Sequence, residues 1–297
     1  MRLLFARLPL GLQYSLLSAL GFSLMMSCVK LVSSYHIPVF EIIAARALIS
    51  LLISYVDIKR KRIAVLGSNK MLLFTRGTVG SLALLCIYYS VTVMPLAEAT
   101  ILQYLHPVFT AALAVFLLKE RLQFSTVVCL VFCLSGLLVM VSPNIATDTV
   151  TAYPIWGIIA AVVGSFGSAI AYIIVKKLSR VEDSSVIIFY FPLVALPLSL
   201  ILLGDDFVMP NMESFILLVF VGLFTQIGQV GMTKAMQYEV ASKVTAYSYI
   251  QVVFAMVFGI LLFSEVPSVF TLVGGGLILT GAFINVFGGK SKKAMIQ

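Results

Sequence analysis

The stretch LAEATILQYLHPVFTAALAVFLLKE at residues 96–120 and the stretch ASKVTAYSYIQVVFAMVFGILLFSE at residues 241–265 lie 145 positions apart and read one above the other. Thr100 falls on Thr245, Tyr104 on Tyr249, Phe109 on Phe254 and Glu120 on Glu265. Each stretch holds an apolar run long enough to cross a hydrocarbon core about 30 Å thick, which takes about 20 helical residues. The same offset brings Gly77 onto Gly222 and Gly136 onto Gly281, while an offset of 146 brings Val29-Lys30 onto Val175-Lys176. Apolar residues match by chance, so the Gly, Thr, Tyr and Glu pairs carry the inference. The chain therefore reads as two copies of one unit, residues 1–145 and 146–297.

Outward from these two stretches, apolar runs between charged or Pro/Asn/Asp-rich breaks predict ten spans. The first copy holds residues 11–34, 39–56, 71–93, 96–118 and 125–142. The second holds 153–175, 185–203, 215–232, 241–263 and 269–287. Composition agrees: 61% of the 297 residues are hydrophobic and 11% charged, against roughly 45–50% and 25% in soluble domains. Only a helix, among open-ended structures, satisfies its own backbone hydrogen bonds in lipid, so the fold class is all-α integral membrane. With an odd number of crossings per copy, the second copy enters from the opposite face. The expected architecture is ten transmembrane helices arranged as two inverted five-helix repeats.

Of the 20 Lys and Arg residues, all but Lys30, Arg46, Arg76 and Lys243 fall in the termini or in alternate connections, on one side of the membrane. Such a bias assigns that side to the cytoplasm and predicts a multi-pass inner-membrane protein with both termini cytoplasmic. The run at residues 11–34 is longer than a signal-peptide core and lacks a cleavage site, so it reads as a retained first helix. The net charge of +8 comes from clusters flanking apolar spans, which speaks for topology and against nucleic acid. Cys28, Cys86, Cys129 and Cys133 lie inside apolar segments without His or acid neighbours and read as packing residues, so no metal and no cofactor is expected.

The first stretch, with its small residues, its Pro107-Val-Phe step and its closing Leu118-Lys-Glu-Arg-Leu122, resembles the ten-helix EamA branch of the drug/metabolite transporter superfamily. The resemblance runs over nearly the whole chain. It departs in the second copy, where Gln251-Val252 stands in place of His106-Pro107 and makes the two half-sites chemically unequal. The resemblance implies transport of a small solute and does not name the cargo.

Candidate substrate-binding residues are polar groups that lipid would penalise: Arg46, Glu98, Tyr104, His106, Gln226, Gln229, Lys243 and Tyr249. Arg46 sits well inside the second span, with Glu41 or Glu98 as alternative structural partners. Lys30 and Arg76 lie near span ends, where they either snorkel or face a cavity or a partner. Glu98 and Lys243 occupy the first turns of the fourth and ninth spans and correspond under the repeat, which suggests gates. A cation is electrostatically misplaced at a helix amino terminus, so Lys243 is expected to meet a carboxylate or an anionic headgroup. Pro107 removes a backbone hydrogen bond, so His106-Pro107 should break the fourth helix. Gly222, Gln226, Gln229 and Thr233 form a polar stripe on the eighth, expected to line a cavity. Tyr104 and Tyr249 could stack on a solute or anchor helices.

These residues predict a secondary transporter that moves a small polar or zwitterionic metabolite, an amino acid or derivative, by alternating access. A nucleoside-like solute such as S-adenosylmethionine is the alternative cargo. A membrane enzyme or a channel is the alternative class. No Walker loop, His-Glu-x-x-His or Gly-x-Ser-x-Gly is present and there are only two histidines, so the chain is not expected to be an enzyme or an ATP-driven pump. The expected partners are a small-molecule substrate and the bilayer, with proton or exchange coupling and a monomer or homodimer left open.

Overall fold

The computed structural model describes residues 9–93, 99, 102–147, 155–264 and 268–288. The described residues contain helices and no strands. In chain order the helices are α1 (Leu10–Ser33), α2 (Val39–Arg60), α3 (Lys70–Val93), α4 (His106–Leu118), α5 (Phe124–Thr147), α6 (Ile155–Leu178), α7 (Ser184–Leu203), α8 (Met212–Tyr238), α9 (Ala241–Tyr247), α10 (Ile250–Phe263) and α11 (Val269–Gly288). Among the described residues, counting α9 with α10, eight stretches are long and apolar enough to cross a membrane, and His106–Leu118 and Phe124–Met140 are shorter apolar helices. The burial pattern reverses that of a water-soluble bundle. Leu52, Phe116, Ile201 and Leu261 are exposed, while Ser15, Ser18, Ser23, Ser27, Ser50 and Ser54 are buried. Small polar residues inside and large apolar ones outside is how helices associate when lipid is the solvent.

The helices form two compact units, Met1–Ser81 with Ile174–Tyr238 and Leu82–Ile173 with Glu239–Gln297. Each unit draws on both halves of the sequence, so the spatial units and the sequence copies are different divisions. In the first unit, α1 packs on α8 and α2 on α7. The approach of α1 to α8 is close because glycines face it: a Cβ on Gly21 would stand 2.7 Å from the Gly228 nitrogen. The Ser18 hydroxyl donates to the Gly228 carbonyl at 2.8 Å. In the second unit α5 packs on α11, and a Cβ on Gly136 would stand 2.5 Å from the Gly274 oxygen.

The 145-residue offset recurs in the contacts. A Cβ on Gly77 would meet Val194, and one on Gly222 would meet Ile49, the same pair shifted by the offset. In the second unit Lys119 and Ser264 both take left-handed backbone (φ 54° and 52°), and both close their helices through a backbone N–H, onto Ala114 and Gly259. A left-handed non-glycine residue costs about 1–2 kcal/mol, so its recurrence at equivalent positions reflects shared architecture.

In the first unit the connections meet in pairs. At one end of the first unit the α2–α3 loop meets the α6–α7 loop, with Lys61 Nζ 2.9 Å from Asp183 Oδ1 and Glu182 Oε1 accepting the Ser68 N–H at 2.7 Å. At the other end Tyr35 donates to Glu213 at 2.7 Å and Glu41 accepts the Val208 N–H at 3.0 Å. Partial burial alone would raise the Glu182 pKa, but the Ser68 hydroxyl and the Asn69 and Ser68 N–H groups outweigh it and hold this carboxyl below its usual range. Partial burial alone would likewise lower the Lys61 pKa, and its bonds to Asp57 and Asp183 hold it above the ordinary lysine value.

The ninth span differs from the continuous helix expected from its apolar run, because it breaks at Ser248–Tyr249 between α9 and α10. Ser248, Gln251 and Val252 donate to carbonyls three residues back, so the chain tightens for one turn. The first copy does the same at Tyr104–Leu105, with Leu105 bonded to Leu102 and Val108 to Leu105. Pro107 therefore is not the sole cause of the break, since Val252 stands in its place in the second copy and the break persists.

Candidate functional site

The described polar candidates are divided between the two units. In the first unit α2, α3, α7 and α8 bring together Arg46, Arg76, Phe191 and Gln229. Both guanidinium groups lie over one ring: the Arg76 guanidinium carbon is 4.8 Å and that of Arg46 5.9 Å from the Phe191 centroid. Both arginines are buried, at 5% and 9% exposure. Arg76 Nη2 also donates to Gln229 Oε1 at 3.3 Å. Gly80, one turn beyond Arg76, lets the assembly close, since a Cβ there would stand 3.2 Å from the Phe191 ring and 3.5 Å from Arg76 Nη1. A ring face attracts a cation by about 0.5–2 kcal/mol, more as water is excluded, so Phe191 offsets part of the penalty for two buried positive charges. Glu41 accepts the Val208 N–H, and no ion pair joins it to Arg46 among the described residues.

Gln226 has a different use. Its Oε1 accepts from the Ser50 hydroxyl at 2.5 Å and its Nε2 donates to the Ser54 hydroxyl at 3.0 Å, both on α2. With Gly222 seated on Ile49, this part of the α8 stripe joins α8 to α2. Such bonds contribute about 0.6 kcal/mol each in membrane proteins.

The second unit holds Tyr104, His106, Tyr249 and Lys243. Because Pro107 has no N–H, the Gln103 carbonyl has no helical partner four residues on. It accepts instead from the His106 ring through Nδ1 at 3.0 Å and from the Ser165 hydroxyl at 3.3 Å. Next to it, the Tyr104 carbonyl accepts the Tyr249 hydroxyl at 2.6 Å. The rings cluster as tightly: Tyr104 stacks on Tyr249 at 5.6 Å, and His106 lies 5.4 Å from Tyr172 and 6.1 Å from Tyr104. His106 Nε2 is buried and accepts or donates no hydrogen bond among the described residues. Lys243 meets the expected carboxylate, with Nζ 3.2 Å from Glu239 Oε2. Glu120 accepts the Ala241 and Ser242 N–H groups at 3.0 and 3.4 Å and so caps α9. Glu98 lies outside the described residues. Among the described residues no cluster of three or more metal-ligating side chains occurs.

Sequence reasoning left Arg76, Phe191 and Tyr172 outside the candidate set. Arg76 sits near a span end, which favours snorkelling, and Phe191 is one phenylalanine among 21 with no local signal to single it out.

The profile of the EamA-like transporter family matches the chain twice, over residues 9–142 and 155–287. The chain belongs to the EamA-like transporter family. It is a multi-pass membrane transporter and not an enzyme. The pseudopaline exporter CntI of Pseudomonas aeruginosa is 32% identical over 270 residues, covering 91% of this chain and 93% of that one. Human solute carrier family 35 member G1 is 32% identical over 285 residues, covering 92% and 77%. The S-adenosylmethionine uptake transporter of Rickettsia felis is 28% identical over 207 residues, covering 70% and 68%. A solved crystal structure at 19% identity superposes with a TM-score of 0.79 over 93% of this transporter and 99% of its own chain, a likeness of fold.

Proposed function

We propose that this transporter is a secondary carrier for a small polar or zwitterionic metabolite, an amino acid or derivative, whose anionic group is held by Arg46 and Arg76. The observation that carries the reading is the pair of buried guanidinium groups over the single Phe191 ring. The carrier works by alternating access between two inverted repeats, in an inner membrane with both termini in the cytoplasm. A carboxylate brought to this place could be held by bidentate hydrogen bonds, which the guanidinium fork is shaped to make. Gln229 supports the reading because its bond to Arg76 orients the guanidinium. His106, Tyr104 and Tyr249 form the candidate site of the second unit. Relatives named as exporter or uptake transporter of a metabolite agree with a metabolite cargo.

The test is uptake and counter-flow in proteoliposomes, with succinate, L-lysine and S-adenosylmethionine as probes, alongside binding to the purified protein. Counter-flow that saturates separates a carrier from a channel. Replacing Arg46 with Gln should weaken carboxylate binding by about ten- to a hundredfold, the equivalent of losing one charge-assisted hydrogen bond of about 1.5–3 kcal/mol. Replacing Gln226 with Met should lower thermal stability and leave affinity within about twofold, because its bonds run to Ser50 and Ser54. Unaltered carboxylate affinity in a well-folded Arg46→Gln protein would overturn the anion site.

A further inference from the structure

The unassigned feature that carries furthest is the free face of His106. Its Nδ1 sits 3.0 Å from the Gln103 carbonyl, which can only accept, so Nδ1 bears the proton. In the neutral ring Nε2 is then a bare acceptor. It is buried, His106 as a whole is 8% exposed, and no described group donates to Nε2. A buried acceptor without a donor is disfavoured and rare. Protonating the ring would not cure this, because the new N–H would then lack an acceptor.

The surroundings say what could fill the place. Tyr172 and Tyr104 present rings at 5.4 and 6.1 Å from the imidazole, and Tyr249 backs Tyr104 at 5.6 Å. Aromatic faces attract a cation without forming an ion pair. The local backbone is already satisfied, since the carbonyls of Gln103 and Tyr104 are taken by Ser165, His106 and Tyr249. His106 Nε2 remains a buried acceptor beside two aromatic rings.

We propose that His106 Nε2, boxed by Tyr104 and Tyr172, is a subsite for an ammonium N–H donor on the carried solute. The inference rests on the carrier reading and adds to it an amine-recognising element within the second unit, tested separately from the arginines of the first. Nε2 accepts the N–H while the rings stabilise the positive charge, so the subsite discriminates amine-bearing solutes from plain carboxylates.

The test uses the full chain in a His36→Gln background, which leaves His106 as the single imidazole of the two in the sequence, with 15N in the histidine rings. The resting protein should show Nε2 without a proton. Adding L-lysine or S-adenosylmethionine should shift the Nε2 resonance, and succinate should not. His106→Leu should weaken binding of the amine probes by about tenfold and leave succinate within about twofold, while His106→Asn, which keeps an acceptor, should recover part of the loss. A proton on Nε2 at rest, an equal response to succinate and the amines, or no response to either amine overturns the inference. If His106→Leu does not fold, the Asn variant and the resonance decide. Amine binding lost in Arg46→Gln but intact in His106→Leu would sink this subsite and leave the arginine site standing. The reverse pattern would do the opposite.

Discussion

The Tyr249 hydroxyl donates to the Tyr104 carbonyl oxygen at 2.6 Å, and the two residues are the same position of the two sequence copies, 145 residues apart. A second pair at that separation, Cys133 and Ile278, also meets, with the thiol 3.9 Å from the Ile278 carbonyl. The first of these pairs stands where both copies break their helices.

The bond itself is unsymmetrical, because the hydroxyl comes from Tyr249 and the carbonyl from Tyr104. Tyr249→Phe removes the donor and should lower stability by about 0.5–1.5 kcal/mol. Tyr104→Phe keeps both the ring stack and the carbonyl, so its effect through this bond should be absent. Thermal unfolding of the two variants in one detergent checks the order. No loss in Tyr249→Phe would show that the hydroxyl bond contributes nothing.

Glycine positions that look alike in sequence should differ sharply. A Cβ on Gly136 would stand 2.5 Å from the backbone oxygen of Gly274, which cannot move aside without separating α5 from α11. A Cβ on Gly276 would meet nothing within 4 Å. Gly136→Ala should therefore destabilise the protein by about 1–3 kcal/mol, as overpacking does. Gly276→Ala should be neutral or stabilising by up to about 1 kcal/mol, since alanine is the better helix former. Melting temperatures of both variants, measured side by side, test this.

The bond between Glu182 and the α2–α3 loop should be sensitive to acid. Its pKa is depressed in the folded protein, so it binds fewer protons folded than unfolded at mildly acid pH. The stabilisation is fully present above the ordinary carboxyl value of 4.5 and is lost as pH falls through the lower folded value. The difference in melting temperature between the native protein and Glu182→Gln should be constant from about pH 6 to 8 and shrink below about pH 4.5. A difference that grew on acidification would contradict the sign.

The α7–α8 connection carries Asp205 and Asp206, and the charge bias assigns it to the outer face. A cysteine at position 205 should react with a membrane-impermeant reagent added outside intact cells. Reaction only after the cytoplasmic face is opened would reverse the orientation.

Membership of the fold class was legible because lipid reads the chain locally. A run of about 20 apolar residues must be a helix wherever it lies, and the copies align on Gly, Thr, Tyr and Glu without any knowledge of contacts. Lys243 finding Glu239 was legible for the same reason, since the helix dipole and a carboxylate four residues away are both local.

Tertiary structure alone decided how the polar residues are used. Gln226 and Gln229 belong to one stripe on α8, yet one is bonded to two serines of α2 and the other to Arg76. Nothing in the stripe distinguishes them. Arg76 resembles a snorkelling cation until Phe191, from a helix more than a hundred residues on, lies beneath its guanidinium. The break in the ninth span has no proline to announce it. It lies where Tyr249 reaches the Tyr104 carbonyl, a contact between segments 145 residues apart. Hydrophobic length is a property of a segment and survives without its neighbours. A side chain's partner is a property of a pair, and the pair exists only once distant helices have met.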